Sequence, residues 1–242
     1  MRIWKTKNGS EIFRVSAGRS NVYLISTPRG NILVDTGWKY SFDGLRKNIR
    51  AMALSKPVSL LILTHTHFDH CYNAAMIRQL ENCKIVISEQ DATFTRNGYT
   101  PIPAGTLSVT RILSHIGKMI GKKWFGYPPF NPDQVIKEEP DLSTEEYGIK
   151  IISTPGHSPG SISLIIDNEI AIVGDAMLGI FFNSIFPPFA DDVNEMIRSW
   201  GKLLKMDCRL FLPGHGGAVT RELLQREYEK YSRKQDILSL IQ

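Results

Sequence analysis

Apolar positions recur along this chain in two rhythms. Short β-rich runs bounded by turn residues come first: residues 12–15, 22–25 and 32–34 are expected strands, with Pro28-Arg29-Gly30-Asn31 turning between the last two. From Ser41 the period lengthens. Phe42, Leu45, Ile49 and Ala53 share one face of a helix that Ser41 caps and that runs to about Leu54. A strand over 59–63, a helix over 72–81 and a strand over 84–88 follow. The unbroken apolar character of 59–63 predicts a strand buried on both faces.

The second half repeats the pattern. Strands are expected over 149–153, 162–166 and 170–173, with Asp167-Asn168 as the tight turn between the last two. Asp191 or Asp192 caps a helix reaching about Met206, residues 209–212 form a strand, and 220–241 form a helix of mixed charge. Strands followed by helices, twice, predict two facing sheets with helices outside. The stretch 92–147 breaks this rhythm with proline, glycine and aromatic residues. Within it Leu107, Ile112, His115, Ile116, Met119 and Ile120 share one helical face. So long a connection predicts a cap over a cleft, or a helix packed on the surface. The expected organisation is one domain over 1–242 with a cap-like insert at about 92–147.

Composition narrows the class without naming it. With 242 residues, 42% apolar and 22% charged, the chain is neither disordered nor collagen-like. No apolar run approaches the roughly 20 residues that cross a bilayer, so no membrane partner is expected. A net charge of +5 admits anionic substrates without requiring them. Three cysteines, Cys71, Cys83 and Cys208, are no disulfide framework, and the N-terminus lacks the apolar stretch of a secretory signal. Reduced thiols in a cytoplasmic protein are the expectation.

The chemistry concentrates in histidine and aspartate. Thr64-His65-Thr66-His67-Phe68-Asp69-His70 directly follows the 59–63 strand and puts four donors in six residues. His65 and His67, two apart on an extended segment, point the same way; Asp69 and His70 sit where the chain bends into a helix. So many polar groups are not buried in an apolar core without partners. His157 in Thr154-Pro155-Gly156-His157 and His215 in Leu212-Pro213-Gly214-His215 each follow a strand through a Pro-Gly turn, and Asp175 ends another strand. Five of the six histidines therefore lie in strand-end loops, where open sheets bind ligands. Imidazole with carboxylate is a donor set for zinc, iron or manganese.

This set resembles the metallo-β-lactamase superfamily, with its His-x-His-x-Asp-His segment at 65–70 and its later residues at His157, Asp175 and His215; Val34-Asp35-Thr36-Gly37 is similar to its first motif. The resemblance implies an α/β (α+β) four-layer αββα sandwich with two metal ions, most simply Zn2+ with iron or manganese as alternatives. It implies His65, His67 and His157 on one ion, Asp69, His70 and His215 on the other, and Asp175 bridging. Asp35 is either the partner that orients a ligand histidine or a simple turn residue. Where the glyoxalase II enzymes of this superfamily commonly carry Gly-Gly after the Asp-His pair, this chain has Cys71-Tyr72.

The activity so implied is hydrolysis of an ester-type bond in a small molecule, a lactone, thioester or other small ester, by a hydroxide shared between the metals, with Asp69 orienting it. A phosphodiesterase or nuclease of the same fold and a mononuclear-iron sulfur dioxygenase are the alternatives. No RNA-binding arm is evident, so no nucleic-acid partner is expected. The oligomeric state is left open. The segment holding Phe181-Phe182 and Ile185-Phe186-Pro187-Pro188-Phe189 lines an apolar pocket or packs in the core, and His115 stands apart from the ligand loops.

Overall fold

In strands, alternate residues point to opposite faces, and here both faces meet apolar partners. In β3 (Asn21–Thr27), Tyr23 and Ile25 face the space between two sheets, while Val22 and Leu24 pack against helices outside. That double burial is why the strands read as unbroken apolar runs. The computed structural model describes residues 2–52, 56–137, 144 and 147–239.

Among the described residues the strands form two sheets, one of seven and one of five. In the first, β1 (Arg2–Lys5), β2 (Glu11–Ala17), β3, β4 (Gly30–Val34), β5 (Val58–Ile62), β6 (Lys84–Ser88) and β7 (Gln134–Ile136) lie in chain order. The pairings are antiparallel up to β4 and parallel from β4 to β7. Each parallel step needs a crossover. The first two are supplied by α1 (Phe42–Ala51) and by α2 (Phe68–Cys71) with α3 (Ala74–Glu81). The third is the long excursion through α4 (Ala92–Asn97), α5 (Ser108–Ile120) and α6 (Lys122–Phe125). The second sheet runs β12 (Val219–Thr220), β11 (Leu210–Pro213), β10 (Ile170–Gly174), β9 (Ile162–Ile166), β8 (Ile149–Ser153). Helices α7 (Val193–Leu204) and α8 (Arg221–Ser239) cover its outer face, where Trp200 and Phe211 are wholly buried. The layers are αββα.

Several local expectations change. Ser41 does not cap α1: its Oγ donates to the Trp38 carbonyl at 2.6 Å. The end expected near Leu54 lies outside the described residues. The helix expected over 72–81 begins at Ala74, as α3, and a separate single turn, α2, precedes it; between them the Asn73 side chain donates to the carbonyls of Thr36 and Trp38. Asp192, not Asp191, caps α7, accepting the Glu195 amide at 2.9 Å. The helix expected over 220–241 begins at Arg221, and its last residues lie outside the described ones. Asp167 and Asn168 both take positive φ, 50° and 54°, as a two-residue hairpin of primed type requires.

The insert helix forms, but its packing is inverted. Only Ser114 and Gly117 of α5 are buried. Ser114 Oγ donates to the Pro103 carbonyl at 2.6 Å, and Gly117 lies against Ile102. The face of Leu107, Ile112, Ile116, Met119 and Ile120 is exposed.

Candidate metal centre

Four strand ends supply the site. His65 and His67 follow β5 on extended backbone and project together, their ring centroids 4.7 Å apart. His67 immediately precedes α2, whose single turn carries Asp69 and His70. His157 comes from the turn after β8, Asp175 from the end of β10 and His215 from the turn after β11. Two glycines permit the approach. Gly156, at φ +129°, lies against the Met196 backbone, where no side chain fits. At Gly214 a Cβ would collide with Asp175 Oδ1 and His70 Cε1.

The structure brings all seven sequence-derived donors together. Their ligand atoms form three groups, each within 4.8 Å: His65, His67 and His157; His65, His70 and Asp175; Asp69, His70 and His215. His67 Nδ1 is 3.0 Å from His157 Nε2, and His70 Nε2 is 3.3 Å from His215 Nε2. The Asp175 carboxylate lies 3.2 Å from His215 Nε2, 3.4 Å from His70 Nε2 and 3.6 Å from His157 Nε2. Asp69 Oδ2 is 3.7 Å from His215 Nε2.

The outer ring nitrogens decide where the protons are. A carbonyl can only accept, so His157 Nδ1 donates to Phe189 at 3.0 Å, His215 Nδ1 to Arg19 at 2.6 Å and His67 Nε2 to Pro101 at 3.2 Å. His70 Nδ1 donates to Asp35 Oδ2 at 2.9 Å. Thr64 Oγ1 donates to Asp35 Oδ2 at 2.9 Å and accepts from His65 Nδ1 at 3.1 Å. In the neutral tautomers the inner nitrogens therefore carry lone pairs that face one another. His65 Nε2 and Asp175 Oδ1 are buried with no hydrogen-bond partner. Converging buried lone pairs are costly without a cation, and imidazole with carboxylate is the donor set divalent zinc takes. The residues present fit a metal centre.

Charge follows the same layout. Burial, then the neighbouring histidines, hold His65 and His67 well below the usual imidazole range; burial lowers His157 too. Neutral imidazole is the ligating form. Burial alone would lower His70, but the carboxylates of Asp175 and Asp35 lift it to about 10. Burial alone would raise Asp175, but His215, His70 and His157 hold it well below the carboxylate range.

One neighbour escaped the sequence reading. Arg19 Nε stands 3.5 Å from Asp69 Oδ2, and its guanidinium lies over Trp38 and Phe68, 5.3 and 5.0 Å from the ring centroids. Nothing in Gly18-Arg19-Ser20 marks it, because the contact is made across the fold. Arg19 lines two cavities. One, of about 580 Å³, is bordered by His67, Asp69, His157, Asp175 and His215 and by the apolar Ile102, Leu113, Ile116, Phe125 and Ile180. The other, of about 700 Å³, is lined by Arg2, Arg14, Trp38 and Tyr40. The aromatic segment after Asp175 divides between roles: Pro187, Pro188 and Phe189 border the first cavity, Ile185 is core, and Phe181 and Phe182 are exposed. His115 is exposed on α5, and Cys71 and Cys208 are buried free thiols.

Comparison with known proteins agrees with this geometry. The chain is 33% identical over 158 residues to a probable metallo-hydrolase of Methanocaldococcus jannaschii, covering 65% of this chain and 67% of that one. It is 24% identical over 241 residues to an acyl-coenzyme A thioesterase of Gallus gallus, covering 94% and 83%. In structure it is similar to TTHA1623, solved in a di-iron-bound form, with a TM-score of 0.64 and 23% identity over 89% of this chain and 98% of that one. The sequence profile of the metallo-beta-lactamase superfamily matches residues 15–215. With the αββα layers and the histidine-aspartate cluster at the strand ends, the chain belongs to the metallo-beta-lactamase superfamily of metallo-hydrolases.

Proposed function

We propose that this protein hydrolyses an ester-type bond of a small molecule that carries an apolar acyl group, with a thioester as the first choice, at a dinuclear zinc centre. The observation that carries the reading is the convergence of seven histidine and aspartate ligand atoms, with His65 Nε2 and Asp175 Oδ1 buried and unpartnered among them, at the border of an apolar cavity. His65, His67 and His157 would hold one ion, Asp69, His70 and His215 the other, with Asp175 between them. Bound there, two divalent ions supply Lewis-acid polarisation of the scissile carbonyl and a water of lowered pKa.

The chain's own residues do the rest. Asp69 borders the cavity and its carboxylate takes the proton of the attacking water; Arg19 and His215, 3.5 and 3.7 Å from Oδ2, fix its direction. Ile102, Leu113, Ile116 and Phe125 exclude water and receive the acyl chain. Of the insert expected at about 92–147, residues 134–136 join the first sheet as β7, and the part before them, 92–133, acts as a cap over the cleft. The arginine-lined cavity that shares Arg19 suits a leaving group bearing negative charge, as the thiol carrier of the thioesterase relative's substrate does. The similarity to a di-iron structure makes iron the second metal to consider.

The test joins elemental analysis of protein purified without added metal to a hydrolysis screen of acyl-coenzyme A thioesters, lactones, phosphodiesters and β-lactams. About two zinc ions per chain with thioester or lactone turnover is the expected result. One iron per chain with oxygen uptake on a persulfide would replace the reading with a sulfur dioxygenase. Turnover of phosphodiesters alone would replace it with a phosphodiesterase.

A further inference from the structure

Helix α5 has its apolar side outward. Val109, Ile112 and Met119 are 68%, 63% and 77% exposed, and Trp124, just beyond the helix, is 71% exposed. Phe182, two residues after the cavity-lining Ile180, is 94% exposed. Single exposed apolar residues are ordinary, but a contiguous exposed patch marks a surface that something covers. Propensity does not explain it, because the residues α5 does bury are the small Ser114 and Gly117. Leu113, Ile116 and Ile120 border the cavity, and Val109, Ile112 and Met119 are left facing outward.

The charge along this segment is of one sign. From residue 92 to 132 the sequence holds Arg96, Arg111, Lys118, Lys122 and Lys123 and no aspartate or glutamate. All five cations are exposed. The acidic residues at either end of the stretch are engaged elsewhere: Asp91 is buried, and Asp133 pairs with Arg78 at 3.6 Å. Asp191 meets the segment where its carboxylate accepts the Ala104 amide, before the helix begins.

We infer that α5, with Trp124 just beyond it, docks the protein on the surface of a bilayer containing anionic phospholipid. Large apolar side chains interleaved with lysine and arginine, and a tryptophan at the boundary, form the pattern of a helix lying in the plane of the headgroups. A second copy of the chain fits less well, since pairing the same faces about a two-fold axis brings like-charged lysines and arginines together. The absence of a spanning segment, from which no membrane partner was expected, does not bear on surface docking. Docked this way, the apolar cavity beneath α5 opens where the acyl chains of lipid-dissolved molecules are concentrated.

Vesicle flotation tests this with the full chain, on phosphatidylcholine vesicles and on vesicles of phosphatidylcholine with phosphatidylglycerol. The expected result is flotation with the anionic vesicles, little with the neutral ones, and release by added salt. Ile112→Ser with Met119→Ser, and separately Lys122→Glu with Lys123→Glu, should each weaken partition by about tenfold or more. These side chains are exposed, so circular dichroism should show the variants folded. Loss of a vesicle-induced fluorescence change in Trp124→Phe places the contact at that residue. Equal flotation of parent and variants, or none on anionic vesicles, overturns the inference. So does a change of solution mass by light scattering in Ile112→Ser with Met119→Ser without vesicle binding, which would assign the face to self-association. None of these readouts depends on turnover, so they stand apart from the hydrolase reading.

Discussion

Asp35 Oδ2 lies 2.9 Å from His70 Nδ1, and the same carboxylate accepts the Thr64 amide at 2.8 Å. One buried side chain thus ties the end of β4 to the segment that follows β5 and fixes the tautomer of His70. Its backbone sits at φ +61°, a region that non-glycine residues occupy when surrounding contacts hold them there. Carboxylates in this relation to a ligand histidine raise its basicity and set its ring plane. Asp35→Asn keeps the shape and tolerates the backbone angle but removes the charge. Metal affinity, read by competition with a chelator, should fall about 10–100-fold while the fold is kept.

Asp69 is the carboxylate whose Oδ2 faces both Arg19 and His215 at the cavity. Asp69→Ala should lower kcat by about 10²–10⁴-fold or more with the far-ultraviolet circular dichroism unchanged. Full activity in that variant would sink the proposed role.

At Gly214 the backbone passes directly against the site. Gly214→Ala drives a methyl group into Asp175 Oδ1 and His70 Cε1. The expected outcome is loss of about one metal ion per chain and a lower Tm, by elemental analysis and calorimetry, since overpacking costs about 1–3 kcal/mol.

Asp91 offers a pH-dependent test of stability. Burial pushes its carboxyl from 3.8 up to about 6, and the neighbouring Thr66 offsets only part of that. A carboxyl whose folded pKa is raised favours folding in its neutral form. That contribution is complete below pH 3.8 and is lost as the pH rises through about 6. Asp91→Asn stays neutral throughout. Its Tm should therefore exceed the parent's at pH 8, by about 1–3 kcal/mol of stability, and match it near pH 4. An equal difference at both pH values would contradict the burial argument.

Much of this molecule was legible in its sequence. Short apolar β-rich runs, the Asp167-Asn168 turn and the 3.6-residue period of α1 are local signals, because side-chain direction and turn geometry are set by neighbours in the chain. The donors of the centre were legible for the same reason: the segment 65–70 concentrates ligand chemistry, and Pro-Gly-His turns after strands announce the rest. What lies between distant segments was not. The hydrogen bond from His70 to Asp35, the reach of Arg19 to Asp69 and the return of the chain as β7 each join residues that only the fold makes neighbours. Helix α5 shows the limit most plainly. Its periodicity correctly predicts a helix, but an apolar stripe specifies only that a face is covered. Tertiary packing decided that Ser114 and Gly117 meet the protein and that Ile112 and Met119 do not, because close approach of the helix to residues 102–103 is possible only along its smallest side chains.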